Sequence, residues 1–139
     1  MLALILSLVM GGPTIAEIDK ARESLRPFLD AVAVVESNGK DDAVGDNGKA
    51  LGRYQVWQVY WQDAIDYCPE IGGKYENVTS KVYAERIVVA YLMRYGRKYI
   101  ADNDLQALAR IHNGGPKGYK AKGTLKYWRK VEAILNPCK

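Results

Sequence analysis

The chain has 139 residues, 48% of them hydrophobic and 26% charged, with a formal charge of +4. That is one domain's worth of chain, long enough to bury a core without metals or dense cross-linking. Two cysteines without CxxC spacing and a single histidine exclude a zinc cage and a disulfide scaffold. The chain opens on an apolar run, Met1 to Met10, followed by Gly11-Gly12-Pro13-Thr14-Ile15-Ala16. The run is too short to span a bilayer. It reads either as a signal peptide cut after Ala16 or as an apolar N-terminal segment, leaving residues 17–139 as the folded domain. Thr14 with Glu17 makes a capping box for a helix over Ile15 to Leu25. Pro27 restarts a second helix that ends near Glu36.

Asp46-Asn47-Gly48 then centres a polar stretch, Lys40 to Lys49, and Asn-Gly predicts a small β-hairpin. Leu51 to Val56 is its return strand or a connector. A helix rich in Tyr and Trp follows over Gln58 to Tyr67 and stops before Pro69. Thr79 or Ser80 caps a long helix running to Arg94 or Tyr95, with Gly96 as its end. Asn103 caps a helix over Asp104 to His112, closed by Asn113-Gly114-Gly115-Pro116. Thr124 caps the last, running to Leu135 with Asn136-Pro137 as its stop. The expected class is α+β, mostly helical around one hairpin.

Glu36 is the residue with the most chemistry in it. It ends an apolar run from Phe28 to Val35, and Leu29, Val32 and Glu36 fall near one helical face. Desolvation and the negative end of the helix dipole both favour the neutral acid there. A carboxyl that keeps its proton is what a general acid needs. A second carboxylate would come from the hairpin, where Asp41, Asp42 and Asp46 are candidates. Asp46 is best placed, because the turn projects it back over the end of the Glu36 helix. One neutral acid and one ionised carboxylate are the pair that glycoside cleavage requires.

A helix-ending Glu36-Ser37, a hairpin, then Gly52-Arg53-Tyr54-Gln55-Val56 and an aromatic helix resemble the lysozyme superfamily. The resemblance is nearest to invertebrate-type lysozymes and their bacterial and phage relatives. It is carried further by Tyr60-Trp61-Gln62-Asp63, by Tyr91-Leu92-Met93-Arg94-Tyr95 and by the block Ala109 to Pro116, Ala-Arg-Ile-His-Asn-Gly-Gly-Pro. Thr124 to Val131 completes the set, in the family's order. The two cysteines depart from the cysteine-rich animal enzymes, so packing must replace their disulfide framework.

The resemblance implies a lysozyme-like catalytic domain over 17–139, with a cleft beside the hairpin and no cofactor or metal. It implies a secreted, antimicrobial muramidase that hydrolyses the β-1,4 bond between N-acetylmuramic acid and N-acetylglucosamine in peptidoglycan. Glu36 would be the acid and Asp46 the nucleophile or electrostatic stabiliser. Gln55, Tyr54, Tyr60, His112, Asn113 and Tyr127 would contact substrate, while Trp57 and Trp61 read as core. If the chain is secreted, a Cys68–Cys138 disulfide would tie the C-terminal tail to the body.

From Arg94 onward eleven Lys and Arg stand against Asp102, Asp104 and Glu132. This basic third would draw the protein to a polyanion, here an anionic wall polymer outside the cell or in the periplasm; a related N-acetylglucosamine polymer is the variant substrate that the resemblance implies. No nucleic-acid-binding motif is present. A monomer with no membrane span is expected. A lytic transglycosylase using Glu36 alone, or a wall-binding module without turnover, are the alternative readings.

Overall fold

The computed structural model describes residues 11–138. Among the described residues are six α-helices and one two-stranded hairpin, joined by short 3-10 turns: α1 (Ile15–Ser24), α2 (Arg26–Ser37), β1 (Val44–Gly45), β2 (Ala50–Leu51), α3 (Gln58–Tyr67), α4 (Lys81–Ala101), α5 (Leu105–Gly114) and α6 (Thr124–Leu135). The strands pair antiparallel, Val44 with Leu51 and Gly45 with Ala50, and Asp46–Gly48 forms a single 3-10 turn between them. The class is the α+β one expected, mostly helical with a small hairpin.

Helix ends largely follow local chemistry. Thr14 caps α1, its Oγ1 accepting from the Glu17 amide at 3.1 Å. Pro27 sits in the first turn of α2, and Asn38 closes that helix in the left-handed conformation (φ 56°). Expectation and structure part at three ends. Gly96 does not stop α4; the helix runs on to Ala101 through a kink at Gly96 (φ −142°, ψ 27°). A Cβ at Gly96 would lie 3.1 Å from Ile111 Cδ1 and 3.2 Å from Leu108 Cδ2. The glycine therefore lets α5 pack closely on α4. Asp104, rather than Asn103, caps α5, accepting from the Ala107 amide at 3.1 Å. Gly123 is the N-cap of α6, and Thr124 sits inside its first turn with Oγ1 2.7 Å from the carbonyls of Gly118 and Ala121.

The core is built around α4, whose Ala84, Ile87, Val88, Val89, Ala90 and Leu92 are fully buried. Helices α1, α3 and α5 pack against it, and α6 packs on α2 and α5. Leu29 and Val32 on α2 and Leu108 and Ile111 on α5 fill the remaining space. Inside this core lies a charged knot. Glu85 on α4 has no exposed surface, and its carboxylate accepts from Arg26 at 2.6 and 2.7 Å, Arg22 at 2.8 Å and Tyr54 Oη at 2.8 Å. Burial by itself would raise the Glu85 carboxyl. The bonds from Arg26, Arg22 and Tyr54 outweigh it and hold the group at about 2.

The expected cysteine bridge is not formed. Cys68 is buried, with its thiol donating to the Pro13 carbonyl at 3.1 Å, whereas Cys138 is exposed at the far end of the chain. The proposed leader, Met1 to Ala16, lies mostly outside the described residues. Its last part does not: Pro13 seats on Cys68 and Thr14 caps α1.

Candidate active site

Glu36, Asp46 and Gln55 face one open cleft of about 670 Å³ between the hairpin, α3 and the end of α5. Its wall also includes Trp57, Tyr60, Tyr91, His112 and Asn113. Glu36 arrives on the last turn of α2, where its side chain is 19% exposed. The surroundings are not the apolar pocket that the run Phe28 to Val35 predicts. Two donors from distant elements meet on one oxygen: His112 Nε2 lies 3.0 Å from Glu36 Oε2, and Tyr127 Oη donates to the same atom at 3.3 Å. Among the described residues nothing hydrogen-bonds Oε1.

The tautomer of His112 follows from its partners. Nε2 lies between two acceptors, Glu36 Oε2 at 3.0 Å and the Tyr54 carbonyl at 3.2 Å, so Nε2 carries the hydrogen. Nδ1 is then the acceptor for Tyr60 Oη at 2.9 Å. Desolvation raises the Tyr60 hydroxyl well above its ordinary value, so it stays a donor. Burial, and then the nearby Glu36 charge, do the same for Tyr127. Tyr60 stacks on Tyr91 with ring centroids 3.7 Å apart and planes 11° from parallel, giving the cleft a rigid aromatic wall. Burial and the neighbouring Tyr95 push the Tyr91 hydroxyl up to about 12.

Asp46 is exposed at the hairpin tip, in the left-handed region (φ 49°). Its Oδ2 accepts from Trp57 Nε1 at 3.2 Å. The base of the hairpin is clamped by Gln55, which is itself left-handed (φ 51°). Gln55 Nε2 donates to the carbonyls of Gly52 at 3.1 Å and Ala43 at 3.4 Å, which leaves Oε1 as its spare polar atom. Gly52 (φ 79°) passes so close to the Val78 carbonyl that a side chain there would collide with it.

The expected site residues therefore divide. Glu36, Asp46, Gln55, Tyr60, His112 and Asn113 line the cleft. Tyr54 does not: it is fully buried, its hydroxyl spent on Glu85, and only its carbonyl serves the site through His112. Tyr127 is also buried and reaches the cleft only by its bond to Glu36. Trp57, read from the sequence as core, is 42% exposed and lines the cleft, as do Asp63 and Val59. A tryptophan at a helix N-cap, where Ser, Thr, Asp or Asn is usual, was the available signal.

Residues 27–134, from the second helix to the end of the last, match the Destabilase family model. The chain belongs to the Destabilase family. All five residues of the hydrogen-bonded network, Glu36, Tyr54, Tyr60, His112 and Tyr127, fall inside that match. Lysozyme 1 of Crassostrea virginica is 36% identical over 88 residues, covering 63% of this chain and 46% of that protein. An invertebrate-type lysozyme of Ruditapes philippinarum is 32% identical over 86 residues, covering 61% and 60%. The chain thus spans about half to three fifths of the length of these curated relatives. The crystal structure of Tapes japonica lysozyme superposes with a TM-score of 0.65 at 28% identity, over 78% of this chain and 89% of that one. A chain in the complex of Aeromonas hydrophila PliI with Meretrix lusoria lysozyme gives 0.66 at 26% identity, over 78% and 88%. The chain thus shares the fold of these lysozymes. None of its described helices is long and apolar enough to cross a membrane.

Proposed function

We propose that this protein is a muramidase, a glycoside hydrolase that cleaves the β-1,4 bond between N-acetylmuramic acid and N-acetylglucosamine. The single observation that carries this reading is the placement of Glu36 and Asp46 on one open cleft with an aromatic wall. Relatives named as lysozymes support it. Glu36 Oε1, which no described residue hydrogen-bonds, delivers its proton to the glycosidic oxygen as the C1–O bond breaks. The bonds from His112 and Tyr127 hold Oε2 and so fix the direction of that transfer. Asp46, at the solvent edge, supports the positive charge that develops on the sugar ring; water then completes the hydrolysis and restores the acid. Gln55 and Asn113 line the same wall, and their side-chain amides bring hydrogen-bonding groups to it for an N-acetyl substituent.

The substrate sets the place of action, outside the cytoplasm on cell-wall polymer, whether secreted or periplasmic. The test is turnover of solubilised peptidoglycan by wild type, Glu36→Gln and Asp46→Asn, with circular dichroism to verify folding. The expected result is a loss of at least about 100-fold for Glu36→Gln and at least about 10-fold for Asp46→Asn. Full activity in folded Glu36→Gln would remove the reading.

A further inference from the structure

We infer that Trp57 is a stacking platform for a pyranose ring of the glycan on the Asp46 side of the cleft. The inference rests on the reading of the cleft as a glycan site and adds a specificity-determining residue to it.

Neither packing nor capping explains this tryptophan. It is 42% exposed, so it leaves in water much of the apolar surface that makes the residue worth burying. It occupies the N-cap of α3 (φ −85°, ψ 155°) yet its side chain makes no capping bond there. Its neighbour in the same wall, Val59, is 67% exposed, so the cleft rim is apolar on both sides of Gln58.

The ring is nonetheless held in place. Its one polar atom, Nε1, donates to Asp46 Oδ2 at 3.2 Å, and Lys49 Nζ lies 5.8 Å from the ring centroid. An indole anchored through its edge, with the Lys49 ammonium over one face, keeps its other face for a partner. The axial C–H groups of a pyranose carry slight positive charge and suit the negative face of an indole ring. Because the anchor already fixes the side-chain rotamers, little entropy is lost when sugar binds. The carboxylate that holds the ring is the one assigned to the reacting sugar, so the platform orients a ring within reach of Asp46.

The experiment measures binding without turnover, in the Glu36→Gln background, by calorimetry with an N-acetylglucosamine tetramer and a peptidoglycan-derived tetrasaccharide. Trp57→Phe keeps a ring face but loses the N–H, and Trp57→Ala loses both. We expect Trp57→Phe to weaken binding by no more than about threefold and Trp57→Ala by at least about tenfold. Because the side chain is half exposed, thermal melts of both variants should stay close to the parent. Unchanged binding in Trp57→Ala would overturn the platform while leaving the glycan site intact. Equal weakening in Phe and Ala would also overturn it, since the N–H bond to Asp46 would then be the whole contribution. A parent that binds neither glycan would remove the platform together with the glycan reading of the cleft.

Discussion

Glu36 Oε2 draws its two donors from residues 76 and 91 positions away in the chain, His112 and Tyr127. That convergence separates their roles by geometry. His112 is the shorter contact and is buried with both ring nitrogens engaged, while Tyr127 contributes one longer bond. Removing the imidazole leaves Glu36 Oε2 with the longer Tyr127 bond alone and strands the Tyr60 hydroxyl, at a cost of about 1–3 kcal/mol for a buried unsatisfied group. His112→Ala should therefore lower kcat at least about 10-fold and depress the melting temperature. Tyr127→Phe should lower kcat by less than about fivefold. Steady-state kinetics on soluble peptidoglycan beside thermal melts measure both, and the reverse order would refute the assignment of His112 as the principal holder. The sequence placed Glu36 and His112 in the site through local motifs. It could not reveal that they bond each other, nor that Tyr54 turns inward, because Tyr54's hydroxyl partner, Glu85, lies 31 residues further on, in the second turn of the helix whose buried face is otherwise apolar.

At the scale of elements, the Glu85 knot ties α1, α2 and α4 together and also seats Tyr54, whose carbonyl steadies His112. Its carboxyl sits at about 2 in the folded protein against an ordinary 4.5. A depressed value contributes stability that is complete above the unfolded value and vanishes as pH falls through the folded one. The shift corresponds to roughly 3 kcal/mol. Urea melts should therefore show stability falling between about pH 5 and pH 2, and Glu85→Gln should lose roughly 3 kcal/mol at neutral pH with a much flatter acid limb. An unaltered acid limb in that variant would assign the loss to other carboxylates. Most element boundaries were legible because caps and prolines act locally: Thr14, Pro27, Asn-Gly in the hairpin and Pro69 each fall where the chain turns. Gly96 misled because its role is tertiary. Without a Cβ it admits the side chains of α5, and the helix bends there instead of ending.

Across the whole molecule, charge is separated from chemistry. Lys117, Lys120, Lys122, Lys126, Arg129 and Lys130 cluster from the loop after the cleft into α6, and among the described residues none of them forms an ion pair. Such a field speeds encounter with an anionic polymer and is screened beyond about 8 Å at physiological salt. Activity on intact anionic wall should thus fall severalfold as salt rises from about 10 to 150 mM, while turnover of a neutral oligosaccharide should hardly change. Equal salt dependence on both substrates would contradict an encounter role. This basic bias was visible in composition alone, whereas its position next to the cleft end at Gly115 and Pro116 required the packing of α5 and α6. The claim on which the rest depends is hydrolysis by Glu36. Digestion of purified peptidoglycan with wild type and Glu36→Gln, followed by mass identification of the sugar ends, tests it most directly. Reducing N-acetylmuramic acid ends are expected from the wild type alone; anhydro ends, or the same ends from both proteins, would contradict hydrolysis by Glu36.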